Sequence, residues 1–174
     1  MIKAILACDA EGGIGKNGTL PWPKNTKDLQ WFKNNTKGAT VVMGSATWQD
    51  GDMPRPLPNR KNIICSTKDL SHFPGADAVM NINGITQVLP FMSNDTIWII
   101  GGAKLIEACL GIIDEFYLSR IPGSYECDTF LPLKKIEALF EIAHEEIHPE
   151  VIFQILKKRK KNETISDSVR IHIS

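Results

Sequence analysis

The chain has 174 residues, of which 43% are hydrophobic and 23% charged, and its formal net charge at pH 7 is zero. This length suits a single domain with a substantial core. The charge balance excludes a global attraction to nucleic acid or to an anionic membrane surface. No apolar run reaches the roughly 18 residues that a spanning helix needs, and the apolar run at residues 4–8 is too short for a signal peptide. We therefore expect a cytoplasmic protein without a membrane or nucleic-acid partner.

Apolar runs typical of buried strands alternate along the chain with helical patterns. In chain order, the sequence predicts a strand at 2–8, a helix at 26–35, a strand at 40–43, a short helix at 46–50, strands at 62–66 and 76–80, a helix at 84–92 capped by Asn83, a strand at 96–100, a helix at 103–110 and a strand at 115–121. Several strands are continuously apolar, as expected of central strands covered on both faces. This alternation predicts an α/β fold with a largely parallel sheet.

The C-terminal part of the chain has a different pattern. Segments 136–148 and 151–158 flank the turn signal His148-Pro149-Glu150, and we predict that they form an antiparallel hairpin at one edge of the sheet. The full prediction is one domain at 1–160, with about eight strands and about four helices, followed by an extension at 161–174. The alternating residues 169–173 in that extension are compatible with pairing.

The four cysteines are widely spaced and form no C-x-x-C pair. This spacing favours neither a metal site nor a disulfide framework. We therefore predict no bound metal and a protein of a reducing compartment.

A glycine-containing loop followed by one carboxylate is the first candidate site. Residues 14–22 read Ile-Gly-Lys-Asn-Gly-Thr-Leu-Pro-Trp, and Trp22 offers a flat ring with one N–H donor. In the next helix, which begins near Asn25 or Thr26, Asp28 shares a face with Leu29 and Phe32. A carboxylate among apolar side chains needs a hydrogen-bonding partner, and a ligand is one candidate. The alternative is an acidic residue that only opposes the helix dipole.

Three further motifs each join a strand end to a residue type suited to ligands. An apolar strand runs through Gly101-Gly102 into a helix, where phosphates can approach the backbone and free N–H groups. A second strand meets a helix at Gly44, and a proline-rich loop ends in Arg60, a fork for a carboxylate. Tight packing, a simple βα turn and a surface cation are the respective alternatives.

In their order, these motifs resemble the dihydrofolate reductase family over about residues 1–160. The most specific are residues 14–22 with Asp28 six residues on, and Pro56-Leu57-Pro58-Asn59-Arg60. The resemblance implies NADPH-dependent reduction of 7,8-dihydrofolate to 5,6,7,8-tetrahydrofolate, which supports thymidylate synthesis and one-carbon metabolism. It also implies a monomer that antifolates inhibit.

The resemblance assigns a role to each motif. Asp28 would hold the 2-amino and N3 side of the pterin, Trp22 would hold a water that carries a proton to N5, and Leu20 would lie on a mobile loop over the nicotinamide. Arg60 would pair with the substrate's α-carboxylate. The implied catalytic residues are Asp28, Trp22 and Leu20. The implied substrate-binding residues are Ile5, Ala7, Asp28, Phe32, Leu57, Arg60, Ile100 and Ser119, the last standing where the family usually has Thr.

The implied NADPH site is larger and includes a Gly101–Gly102 peptide bond that is typically cis in the family. Its residues are Ala7, Ile14, Gly15, Leu20, Gly44, Ser45, Ala46, Thr47, Ser66, Thr67, Lys68, Gly101, Gly102, Ala103, Lys104, Leu105 and Ile106. Thr47 and the glycine pair would meet the pyrophosphate, and Ser66 and Thr67 the 2′-phosphate.

This sequence departs from the family pattern at three places. Ser45 stands where a cation is common, so Lys68 would have to supply charge to the 2′-phosphate. Ile106 replaces an aromatic residue common in bacterial members, and residues 51–53 lengthen the loop before Arg55. Two alternatives remain: a riboflavin-pathway reductase, against which Trp22, Asp28 and Arg60 argue, and a non-catalytic pterin- or nucleotide-binding protein of the same fold.

Overall fold

The computed structural model describes residues 1–92 and 95–160. The strands within these residues are β1 Ile2–Cys8, β2 Gly13–Gly15, β3 Thr40–Gly44, β4 Lys61–Cys65, β5 Ala78–Met80, β6 Ile97–Gly101, β7 Glu115–Arg120, β8 Thr129–Phe130, β9 Phe140–Ile147 and β10 Ile152–Lys158. The α-helices are α1 Thr26–Thr36, α2 Ser45–Trp48, α3 Ile82–Val88, α4 Ala103–Cys109 and α5 Leu133–Leu139. Within this part of the chain, no helix is both long and apolar enough to cross a membrane.

Eight of the strands form one sheet in the order β5-β4-β3-β6-β1-β7-β10-β9. The six strands from β5 to β7 in this order are parallel to one another, while β10 is antiparallel to both β7 and β9. The prediction of an α/β fold with a mostly parallel sheet and an antiparallel edge hairpin is therefore confirmed.

The sheet has an apolar core on each face, because neighbouring strand residues point to opposite sides. Ile63 and Ile99 pack into one core, whereas Ile64 and Trp98 pack into the other. In β6 all five residues are buried, which explains its continuous apolar run. The strands that carry the candidate motifs are thus rigidly held from both sides.

The third helix lies closer to the N-terminus than predicted. Asn81, not Asn83, caps it, and its Oδ1 accepts a hydrogen bond from Gly84 N at 2.8 Å. The helix ends at Val88, and a 3₁₀ turn at Leu89–Phe91 follows. The predicted range 84–92 was wrong at both ends, because Asn81 and Asn83 are both good caps and the sequence alone does not select between them.

The segment predicted as one long strand at 136–148 is two elements. Helix α5 occupies Leu133–Leu139, and β9 begins directly at Phe140. Ile136 faces the core from the helix and Phe140 from the strand, so the apolar spacing fits both structures. The helix was therefore missed, whereas the hairpin with β10 was predicted correctly.

A second, two-stranded sheet joins β2 to β8 and was not predicted. Beyond β2, the loop reverses at Asn17-Gly18, whose φ angles are 53° and 80°, and Lys16 and Thr19 exchange both backbone hydrogen bonds. Asn-Gly with two positive φ angles is typical of a type I′ hairpin turn. The loop after β1 is therefore a small hairpin tied to the segment after β7.

Candidate active site

A cavity of about 420 Å³ opens beside the carboxyl ends of β1 and β6, bounded by α1 and by the segment from Thr47 to Arg60. Ligand sites of open α/β sheets lie at this end of the strands. All eight predicted substrate-binding residues line it, and so do six of the predicted cofactor-binding residues: Ala7, Ile14, Leu20, Thr47, Gly101 and Gly102. Folding thus brings together residues that lie more than 100 positions apart.

Asp28 lies on the first turn of α1 with its side chain in this cavity. Asn25 caps the helix, its Oδ1 accepting from Asp28 N at 3.0 Å. The Asp28 carboxylate accepts a hydrogen bond from Ser119, whose neighbour across the strands is Ala7. Burial raises the pKa of Asp28, and the Ser119 bond opposes that rise. Asp28 is therefore more than a helix-end charge, because it presents a partly desolvated carboxylate to the cavity.

The walls around Asp28 are mainly apolar. Ile5, Leu57 and Ile100 are buried in one core cluster, and Phe32 packs against it. Leu57 is fixed by Asn62, whose side chain accepts from Leu57 N and donates to Leu57 O, both at 3.0 Å. A flat ring with a few polar edge groups suits such a pocket.

Arg60 is held at the same cavity by its neighbours. Its Nε donates to Pro58 O at 2.9 Å and its Nη1 to Thr36 Oγ1 at 3.0 Å, while the guanidinium lies 5.9 Å from the centre of the Phe32 ring. Burial lowers the pKa of Arg60, but guanidinium stays charged in proteins. A fork held in place from two sides is preorganised to receive a carboxylate.

The glycine pair after β6 packs closely on Thr47. The Gly101–Gly102 peptide bond is cis, as the resemblance implied. A Cβ on Gly101 would lie 3.5 Å from Thr47 Oγ1, and a Cβ on Gly44 would lie 3.7 Å from Gly102 N. The backbone φ of Gly101 is +125°, a conformation that residues with a Cβ rarely adopt. These residues form a small-side-chain surface along one side of the cavity.

The loop residues divide between cavity and core. Leu20 lines the cavity with 42% of its surface exposed, whereas Trp22 is buried and packs edge-on against Tyr125 at 6.1 Å. Trp22 is absent from the cavity lining. Gly15 pairs with Thr129 in the small sheet instead.

The remaining predicted cofactor residues do not line the cavity. Ser66, Thr67 and Lys68 line a separate depression of about 560 Å³, and Ser66 Oγ accepts from Lys68 N at 3.1 Å. Beyond the cavity lining are also Gly44, Ser45, Ala46, Ala103 and Lys104.

Leu105 and Ile106 also lie outside the cavity lining. Their side chains are buried in the core of the sheet, and Ile106 N donates to Gly102 O at 3.0 Å. The helix turns both side chains toward the sheet. A contact of Leu105 or Ile106 with the cofactor stays a prediction, and their backbone rather than their side chains would have to make it.

Several cavity residues were missed by sequence reasoning. Leu29 was placed on the Asp28 face of α1 but not among the binding residues, and Lys33, four residues further on, could have been found from the same helical spacing. Asp50, Asp52, Met53 and Pro54 come from the lengthened loop, where no periodic pattern exists. Leu6 and Pro58 complete the missed lining.

An apolar pocket with one partly desolvated carboxylate, a fixed arginine and an adjoining glycine surface is typical of an α/β enzyme that binds a ring-containing acid beside a nucleotide. Comparison with known proteins narrows this class. A family model described as dihydrofolate reductase matches residues 1–157.

Similar proteins agree with this match. A putative dihydrofolate reductase of Caenorhabditis elegans is 33% identical over 166 residues, covering 86% of each chain. The dihydrofolate reductase of Bacillus subtilis is 34% identical over 132 residues, or 76% of each chain. A solved structure of dihydrofolate reductase from Enterococcus faecalis complexed with NADP(H) and RAB-propyl superposes with a TM-score of 0.79 at 27% identity, covering 92% of this chain and 97% of that one. This chain therefore belongs to the dihydrofolate reductase family and is an enzyme of that class.

Proposed function

We propose that this chain reduces 7,8-dihydrofolate to 5,6,7,8-tetrahydrofolate with NADPH, as a cytoplasmic monomer that antifolates can block. The observation that carries the proposal is Asp28, a partly desolvated carboxylate bonded to Ser119 at an apolar cavity. The Enterococcus faecalis relative is complexed with NADP(H), which supports the choice of cofactor.

Asp28 orients the pterin by accepting hydrogen bonds from its 2-amino group and from N3. This contact places a negative charge beside the ring and thereby raises the ring's proton affinity. The proton that N5 receives comes from a water molecule, because Asp28 is occupied at the opposite side of the ring. Ser119 keeps the carboxylate in position throughout.

The other end of the substrate is held by Arg60. Its guanidinium pairs with the α-carboxylate of the glutamate, two donors to two oxygens. Leu57 contacts the aminobenzoyl ring between the two polar ends. Binding energy at the Arg60 end thus helps hold the pterin in its reactive position.

The residues beside the pterin fit a dinucleotide. Gly101, Gly102 and Thr47 form a surface on which a pyrophosphate can approach the backbone, and it adjoins the pterin pocket in one cavity. When bound there, NADPH supplies the hydride that C6 accepts. Ile14 and Leu20 cover this junction and limit the access of water, while Ser66, Thr67 and Lys68 take the 2′-phosphate.

The test follows the absorbance of reduced nicotinamide with purified protein, dihydrofolate and either NADPH or NADH. Rapid loss with NADPH, and inhibition by an antifolate, is the expected result. Equal rates with both cofactors would contradict the 2′-phosphate assignment alone. A folded protein that binds dihydrofolate without turnover would instead favour the non-catalytic binding protein, and light scattering of the same sample checks the monomer.

A further inference from the structure

Asp9, the first residue after β1, is a fully buried carboxylate that lies outside the cavity lining. Its Oδ1 accepts from Glu11 N at 2.9 Å and from Gly13 N at 2.8 Å. Its Oδ2 accepts from Tyr125 N at 3.1 Å and from Cys127 Sγ at 3.3 Å. One side chain therefore satisfies four donors from two segments that are more than 100 residues apart.

These two segments lead into the two strands of the small sheet, β2 and β8. Further bonds continue the contact, with Ala10 N donating to Gly123 O at 2.9 Å and Asp128 N to Gly15 O at 3.0 Å. The loop then leads to the cavity, which Ile14 and Leu20 line. The four Asp9 bonds lie at the start of this loop, so they set the position from which it extends over the cavity.

The Asp9 bonds involve neutral donors that together stabilise the buried charge. Burial alone would raise the pKa of Asp9, but the bonds from Tyr125, Gly13, Cys127 and Glu11 hold it below its ordinary value. The Cys127 thiol must keep its proton to donate. Burial and the Asp9 carboxylate raise the pKa of Cys127 to about 11, so this donor is present at physiological pH.

The approach of the two segments requires glycine at position 13. A Cβ there would lie 2.3 Å from Cys127 Sγ and 3.0 Å from Asp9 Oδ1. Both distances are shorter than ordinary van der Waals contact, so alanine would push the segments apart without removing the carboxylate.

We infer that Asp9 is a positioning residue, which ties the loop after β1 to residues 123–128 and so holds Ile14 and Leu20 over the reacting rings. The expected effect on the rate of hydride transfer rests on the proposed function. The tether itself is a property of the fold and can be measured without turnover.

The first test compares Asp9→Asn with the parent protein by hydrogen–deuterium exchange and by single-turnover hydride transfer. The amide replaces one acceptor oxygen with a donor that faces another donor. We expect exchange at residues 12–20 to rise about tenfold, corresponding to about 1.4 kcal/mol. Exchange in β1 is expected to stay unchanged. Hydride transfer should fall about tenfold with less effect on the dissociation constant of dihydrofolate.

Two variants at Cys127 test the same inference if Asp9→Asn does not fold. Cys127→Ala removes one donor and should loosen residues 12–20, whereas Cys127→Ser retains a donor and should restore the parent exchange and hydride-transfer rate. Gly13→Ala should resemble Cys127→Ala.

Two results would overturn the inference. One is unchanged exchange at residues 12–20 in folded Asp9→Asn, or in Cys127→Ala where Asp9→Asn is unfolded. The other is a rise in exchange that is as large in β1 as at residues 12–20, because Asp9 would then stabilise the whole protein rather than position this loop. Loosened residues 12–20 in a protein without turnover would instead overturn the proposed function and leave the tether standing.

Discussion

The substrate end of the cavity and the surface proposed for the 2′-phosphate are built in different ways. Asp28 and Ser119 lie between a capped helix and central strands, bonded to each other in a partly desolvated pocket. Ser45, Thr67 and Lys68 are exposed, and Ser66–Lys68 line a separate depression. Charges act strongly where water is excluded and weakly where it screens them. We therefore expect single changes at the first region to alter the chemistry and those at the second to adjust cofactor preference.

The largest effect is expected from Asp28→Asn. Loss of the carboxylate removes the charge that raises the ring's proton affinity, so kcat for dihydrofolate at neutral pH should fall at least about 100-fold, the size of effect typical of assisted proton transfer. Ligand binding, measured by calorimetry, should persist because the apolar walls are unchanged. Asp52→Asn provides a control, since it removes a carboxylate from the same cavity but from an exposed loop position. Equal losses in both variants would contradict a specific role for Asp28.

Arg60→Ala should act on substrate affinity. A charge-assisted hydrogen bond contributes about 1.5–3 kcal/mol, so KM for dihydrofolate should rise roughly 10- to 100-fold. Arg60→Lys should recover only part of the loss because lysine lacks the planar fork.

A pterin substrate without the glutamate distinguishes loss of the contact between Arg60 and the substrate carboxylate from damage to the pocket. Its KM should be the same in Arg60→Ala and in the parent protein. A parallel rise for both substrates would show that Arg60 stabilises the pocket through Thr36 and Phe32 rather than binding the carboxylate.

Smaller effects are expected at the phosphate surface. Lys68→Ala should raise KM for NADPH about fivefold, as one exposed charge contributes roughly 1 kcal/mol, and leave KM for NADH unchanged. Ser45→Arg should shift preference further toward NADPH. Lys104→Ala is the matched control, because a contact with the pyrophosphate should affect both cofactors alike. An effect of Lys68→Ala on NADH equal to that on NADPH would remove Lys68 from the 2′-phosphate site.

The smallest effect concerns stability. Burial raises the pKa of Asp28 in the folded protein, so folding favours the protonated carboxyl. The resulting contribution to the free energy of unfolding is fully present below the pKa that Asp28 has in the unfolded chain. It is lost as the pH rises through the pKa of the folded protein. Denaturant unfolding without ligand should therefore show Asp28→Asn gaining stability relative to the parent protein from about pH 4 upward.

Asp9 supplies a control, because its effect on stability should change with pH in the direction opposite to that of Asp28. Its pKa is lowered in the folded protein, so its contribution is present above the unfolded pKa and is lost as pH falls. Asp9→Asn should lose stability relative to the parent as pH rises. If the stability difference from the parent protein changed with pH in the same direction for both variants, the opposite pKa shifts of Asp9 and Asp28 would be contradicted.

Elements with unbroken apolar patterns were predictable from the sequence. Residues 97–100 form a strand as expected, because an unbroken run of one tryptophan and three isoleucines is typical of a central strand covered on both faces. Helix α5 was not predictable in this way, since Phe140 continues both the helical and the extended spacing. The burial of Leu105 and Ile106 was not predictable for another reason, as the family pattern does not show which side of α4 faces the sheet.

The sequence by itself determined the fold class, the family and the residues expected to bind substrate, because these depend on local patterns and on motif order. Tertiary structure alone decided that Asp28 meets Ser119, that Trp22 is buried outside the cavity lining and that Ser66–Lys68 line a separate depression. It also decided that Asp9 joins two loops. Each of these facts depends on distances between segments far apart in the chain, and such distances are set by how the sheet packs rather than by any stretch of sequence.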